Sequence, residues 1–125
     1  MERSDSELDE AALDRIRVIC GQFSGADEGE LQDRPLFRVG RRRFAIFNGC
    51  GSPPRRRWSS SGRSLHFLAD PEEIAALRED GRFLPSPHHG DRGWLAMSLE
   101  DHGAVDWDEI AELLESGYLQ VSDRA

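Results

Sequence analysis

The sequence predicts an α+β fold of two layers, a five-stranded, mainly antiparallel sheet with helices on one face, in the order α-β-β-β-α-β-β-α. Three observations lead there. Stretches near both ends, and a short one mid-chain, repeat apolar residues every three or four positions, the spacing of a helix with one buried face. Between them lie short runs that alternate apolar and polar residues, the period of a strand with one face inside. Most of these runs are close enough in sequence for hairpin connections, which make antiparallel neighbours. With 125 residues the chain is read as one domain, 1–125. A domain this long buries roughly two thirds of the surface its unfolded chain exposes, so it needs no metal or disulfide to hold it.

The first helix opens on Ser4-Asp5-Ser6-Glu7, a capping box in which a side-chain oxygen and a glutamate satisfy the open amides of the first turn. Leu8, Ala12, Ile16, Ile19 and Phe23 form its apolar stripe, and Gly21 with Ser24-Gly25 ends it. Leu36-Phe37-Arg38-Val39 and Phe44-Ala45-Ile46-Phe47 are the first two strands, joined by a tight turn at Gly40-Arg41-Arg42. Phe37 and Val39 then face the core and Arg38 the other side. The turn holds Arg41 and Arg42 in water, with Arg43 just inside the second strand. Ser64 to Ala69 is the third strand, with Leu65 and Phe67 on one face. Asp70-Pro71-Glu72-Glu73 starts the second helix with an aspartate cap and a proline at the first helical position. Ile74 and Leu77 supply its short apolar face, and Gly81 stops it. Arg82-Phe83-Leu84-Pro85 is a short fourth strand. In the fifth, Leu95, Met97 and Leu99 alternate with Trp94, Ala96 and Ser98. Asp106 caps the last helix with Glu109 three residues on, and Trp107, Ile110, Ala111, Leu114 and Tyr118 share one face.

Residues 48–63 are of different material: glycine, serine, proline and arginine, with little that packs. They read as a long mobile loop. The segment from Arg34 to Ala69 holds nine of the sixteen arginines and no acidic residue. It therefore carries +9 and the rest of the chain −17, within a net charge of −8. An acidic protein with one basic region presents a surface that holds anions, of which phosphate is the commonest in biology. All sixteen basic residues are arginine, which reads as compositional bias; their placement is the informative feature.

Composition also narrows the classes. No apolar run approaches the ~20 residues of a membrane span. The start, Met1-Glu2-Arg3-Ser4-Asp5, is acidic and polar, unlike a secretory signal. Cys20 and Cys50 have neither metal-type spacing nor partners for a disulfide framework, which points to a reduced, cytoplasmic setting.

The basic clusters Arg41-Arg42-Arg43 and Arg55-Arg56-Arg57 fall on a hairpin turn and a long loop. Two such protrusions suit the phosphates of double-stranded DNA, with Arg38 and Arg63 assisting and Trp58 placed to stack. No recognition helix is evident, and the last helix carries Asp106, Asp108, Glu109, Glu112 and Glu115, so contact is expected with backbone rather than bases. Two rival readings stand beside this one. The first is a protein-interaction module using the open sheet face or the acidic helices. The second is a small-molecule or metal site, or an enzyme, around His88, His89 and Asp91 in a rigid loop, with Asp101 and His102 elsewhere. Cys50 lies between glycines near basic residues but has no identifiable partner base. Glycine-rich phosphate loops are absent. A non-enzymatic protein without a cofactor is the expectation.

Several phrases, taken in order, resemble the MmcQ/YjbR-like family: Pro35-Leu36-Phe37-Arg38-Val39-Gly40, Phe44-Ala45, Ser64-Leu65, Asp70-Pro71-Glu72-Glu73, Arg82-Phe83-Leu84-Pro85-Ser86-Pro87, Gly93-Trp94, Asp106-Trp107 and Tyr118. The resemblance spans about residues 8 to 122. It implies a small α+β fold with a five-stranded antiparallel sheet, likened to frataxin-type and secretion-chaperone-type folds, and DNA binding through a "double wing" of hairpins. The chain departs from the family's pattern at three places. Leu68 stands where a lysine is frequent, His88 where an aromatic is usual, and Gly117 where a serine commonly precedes the late tyrosine. The arginine-rich loop is also longer and more basic than is usual in the family.

Overall fold

Helix α1 spans Asp5–Cys20 and buries Ala12, Ile16 and Cys20 on one side, as its apolar spacing requires. It begins the computed structural model, which describes residues 5–31, 34–48, 63–86, 93–100 and 105–122. Six strands follow, not five: β1 Ala26–Leu31, β2 Arg34–Val39, β3 Arg42–Asn48, β4 Ser64–Leu68, β5 Phe83–Pro85 and β6 Trp94–Ser98. Helix α2, Ile74–Glu79, lies between β4 and β5, and α3, Trp107–Ser122, closes the chain. The order is therefore α-β-β-β-β-α-β-β-α. The strands form one sheet in the order β1-β2-β3-β4-β6-β5, every neighbour antiparallel.

The unexpected strand is β1, Ala-Asp-Glu-Gly-Glu-Leu, which lacks β-branched and aromatic residues. Its neighbour supplies what its composition does not. All six residues pair in register with β2. Two ion pairs fasten it: Arg38 to Asp27 from β2, and Arg17 to Glu28 from α1, at 2.9 and 2.8 Å. Phe23, expected on α1, lies past the helix end, which the Gly21 amide closes by donating to the Arg17 carbonyl.

Caps divide in the same way. Asp106 Oδ1 accepts from the amides of Asp108 and Glu109, so the α3 cap forms as expected. The Glu109 carboxylate binds Arg82 instead of reaching back to the cap. At α2, Asp70 makes a turn, accepting from the Glu72 amide, and the helix starts later, after Glu73, whose side chain makes no capping bond. Ser4 lies outside the described residues.

One sheet face carries the main core. Phe37, Ala45, Phe47, Leu65, Phe67, Leu95 and Met97 meet α1 and α3 there, with Ile110, Leu114 and Val121 from α3. Gly117 allows the close approach of α3: a Cβ there would stand 3.0 Å from the Leu68 carbonyl oxygen and 3.4 Å from Phe44 Cβ. Phe23 stacks on Tyr118 with ring centres 4.7 Å apart, and the Tyr118 hydroxyl donates to the Ser24 carbonyl at 2.6 Å. These contacts tie the last helix to the end of the first.

The centre of the opposite face is also buried, while Leu84 and Ser98 toward its β5–β6 side are exposed. Leu36, Ile46 and Trp94 form a second apolar cluster there, each at most 6% exposed. Around it lie buried polar groups: Arg34, whose Nε donates to Asn48 Oδ1 at 2.8 Å, and His66, set between the Ser64 and Ser86 hydroxyls at 3.2 and 3.0 Å.

Candidate anion-binding surface

The basic hairpin is built by one glycine and one bulge. Val39 pairs with Arg42, leaving Gly40-Arg41 as a two-residue turn. Gly40 has φ of 61°, the left-handed conformation that primed hairpin turns require at their first central position. Arg41 therefore stands at the tip, and Arg42 opens β3 rather than closing the turn. One step further the register slips: Phe37 faces Ala45, but Arg38 faces Arg43, so Phe44 is the extra residue. Phe44 and Ala45 both enter the main core, and Arg43 moves to the side of Arg38. Without the bulge, strict alternation would have set Arg43 toward the helices.

Arg41 and Arg42 are exposed and Arg43 half-buried. Among the described residues, no ion pair or side-chain hydrogen bond reaches any of the three. The contrast with other arginines is plain. Arg17 holds Glu28 through two bonds of 2.8 Å, which raises its guanidinium pKa further. Arg82 holds both Asp80 and Glu109, and its hydrogen bonds keep the Asp80 carboxyl below the usual carboxylate range. Arg15 lies over the Trp107 ring, 5.4 Å from its centre. Among the described residues Arg78 on α2 is also without an ion pair, but it is a single arginine followed by Glu79 and Asp80.

The other expected contact residues separate. Arg38 is on the hairpin, but its guanidinium crosses Gly29 to bind Asp27. Arg63 is corrected. It is 1% exposed, donates from Nε to Asp9 Oδ1 at 2.8 Å and lies 3.6 Å from Glu100 Oε2. Its charge serves α1 and the segment after β6, and burial keeps it from an external phosphate. Arg55, Arg56, Arg57 and Trp58 lie outside the described residues, as do Cys50, His88, His89, Asp91, Asp101 and His102. Among the described residues no cluster of His, Cys, Asp and Glu could hold a metal. No described helix is long and apolar enough to cross a membrane.

Sequence reasoning missed Asp27, which quenches Arg38, because β1 was not recognised as a strand. It also missed His66, whose place between two serines depends on β4 lying against Ser86. An alternating Ser-Leu-His-Phe run was the available signal, since it puts Ser64 and His66 on one face.

Six antiparallel strands, the late tyrosine docked on the first turn and the α3 cap at Asp106-Trp107 now stand together. The sequence pattern that defines the YjbR family matches residues 22–120. The chain belongs to the YjbR family. The YjbR match begins just after α1 and takes in every strand, so β1 is part of the family's span. No curated protein matches the chain.

Proposed function

We propose that this YjbR-family protein is a non-enzymatic binder of double-stranded DNA that holds the phosphate backbone through Arg41, Arg42 and Arg43. One observation supports it above others: in a chain of net charge −8, three adjacent arginines at a hairpin tip are left without a carboxylate among the described residues. Arg41, Arg42 and Arg43 are successive in the chain, with Arg42 on the Val39 side of the hairpin and Arg43 on the Arg38 side. Three uncompensated positive charges on one short turn repel one another, which an anionic partner relieves. Arg38 assists, since its exposed pair with Asp27 is weak and can be exchanged for a phosphate. Arg55, Arg56 and Arg57 enter on sequence grounds as a second basic group, with Trp58 as a stacking residue. Arg63 does not.

Binding of this kind reads charge, with little base preference. Fluorescence anisotropy of a labelled random duplex tests it, comparing the native chain with one in which Arg41, Arg42 and Arg43 are all serine. Micromolar binding at low salt that disappears in the variant supports the proposal. Equal binding by both proteins, or none by the native chain at low salt, overturns it.

A further inference from the structure

The sheet has two edges, and β1 is the longer of them. β1 runs six residues without a proline and pairs with β2 on one side only. In an antiparallel strand, alternate residues turn their amide and carbonyl away from the partner, so the outer side of β1 is a row of groups ready for another strand. Among the described residues, the only backbone bond from β1 outside the sheet is the Ala26 amide to the Phe23 carbonyl, at the strand's start.

Beside this edge, between β1 and the end of α1, lies a cavity of about 240 Å³. Cys20, Ala26 and Phe37 give it apolar walls, and the Arg17–Glu28 pair borders it. Burial, reinforced by the Glu28 charge, pushes the Cys20 thiol up to about 12, so it acts as an apolar wall rather than a nucleophile. The volume decides what fits. It is below the ~300 Å³ at which pockets for drug-sized ligands begin. It is above the ~150 Å³ of a cavity that holds benzene. One large apolar side chain suits it.

We infer that the outer edge of β1 and this cavity together dock an extended, basic peptide segment of another protein, carrying one apolar anchor residue. The peptide adds a seventh strand. Its main chain pairs with β1, its anchor enters the cavity, and flanking Lys or Arg side chains meet the acidic surround. That surround holds Asp14, Asp27, Glu28 and Glu30 against Arg17 and Arg38, four carboxylates to two guanidiniums. The excess negative charge repels nucleic acid, so this site and the basic hairpin select different partners. It also disfavours a second copy of the chain, because β1 against β1 would set Asp27, Glu28 and Glu30 beside their own kind.

The probe is a short dye-labelled peptide alternating Arg with Val and Leu, beside one of equal length alternating Glu with Val and Leu. The basic peptide should bind and the acidic one should not. Ala26→Leu, which fills the cavity, should weaken binding at least tenfold. Glu30→Arg, an exposed change that leaves the core intact, should weaken it severalfold. Hydrogen exchange at β1 should slow when the peptide is bound. Changing Arg41, Arg42 and Arg43 to serine should not weaken peptide binding, which separates this site from the DNA proposal. Arg42 lies two strands from Ala26, so losing its charge can only favour a basic peptide. Equal binding of the two peptides, indifference to both variants, protection elsewhere than β1, or dimerisation of the chain through this edge would overturn the inference.

Discussion

Arg63 and Arg41 carry the same side chain, and burial gives them opposite work. Arg63 is enclosed with Asp9, whose carboxylate is itself only 14% exposed. Removing one member of such a pair strands the other in a poorly solvating place. Arg63→Leu is therefore expected to cost about 3 kcal/mol of stability, read as a lower urea midpoint. The serine changes at the hairpin tip should shift that midpoint far less, because among the described residues no ion pair or side-chain hydrogen bond holds those arginines. Cys20 supplies a pH signature at the same scale. Burial, with the Glu28 charge, pushes its folded thiol up from the ordinary 9.0 to about 12. Above about 9 the unfolded chain loses this proton while the folded chain keeps it, so the unfolded state gains with rising pH. The thiol's contribution is complete below pH 9 and drains away between about 9 and about 12. Urea titrations of the native chain and Cys20→Ala at pH 7 and pH 10 should show their stability difference shifting against the native chain at the higher pH.

At the scale of elements, local pattern succeeded where one face was apolar and failed where a neighbour decided. Alternation in Trp94-Leu95-Ala96-Met97-Ser98 placed Leu95 and Met97 in the core. The same reasoning had no purchase on β1, whose stability comes from pairing with β2 and from Arg17 and Arg38 at a distance in the chain. Nor could alternation locate the bulge at Phe44, which depends on how β2 and β3 register. Helix α3 shows a third case. Gly117 is a poor helix former, yet an added Cβ there would press on the Leu68 carbonyl of β4. The backbone carbonyl it faces cannot swing aside as a side chain end would. Gly117→Val should cost about 2 kcal/mol, measured by thermal or urea unfolding, despite removing a glycine from a helix.

For the whole molecule, charge is sorted by structure more finely than by sequence. The segment from Arg34 to Ala69 carries nine arginines, but Arg34 and Arg63 are buried and Arg38 is matched by Asp27. Three arginines, Arg41 to Arg43, remain available at one place among the described residues. Three neutralised phosphates give a salt slope near −2.7, so a fourfold rise in salt should weaken DNA binding about 40-fold. A steeper slope in the anisotropy titration would count Arg55, Arg56 and Arg57 among the contacts, and serine changes there should reduce it by about one each. A slope near zero would remove phosphate contact altogether.

The sequence by itself determined the α+β class, the three helices, five of the six strands, the basic hairpin and the family. Each of these follows from residues close together in the chain: apolar period, Gly40 at a turn, Asp106 before a helix, the ordered phrases of YjbR. Tertiary structure alone decided the sixth strand, the bulge, the buried centre of the second face and which arginines stay available. Those depend on partners distant in sequence, such as Asp27 for Arg38 and Asp9 for Arg63. Charge is additive along a chain, but its availability is set by what folding brings within about 3 Å.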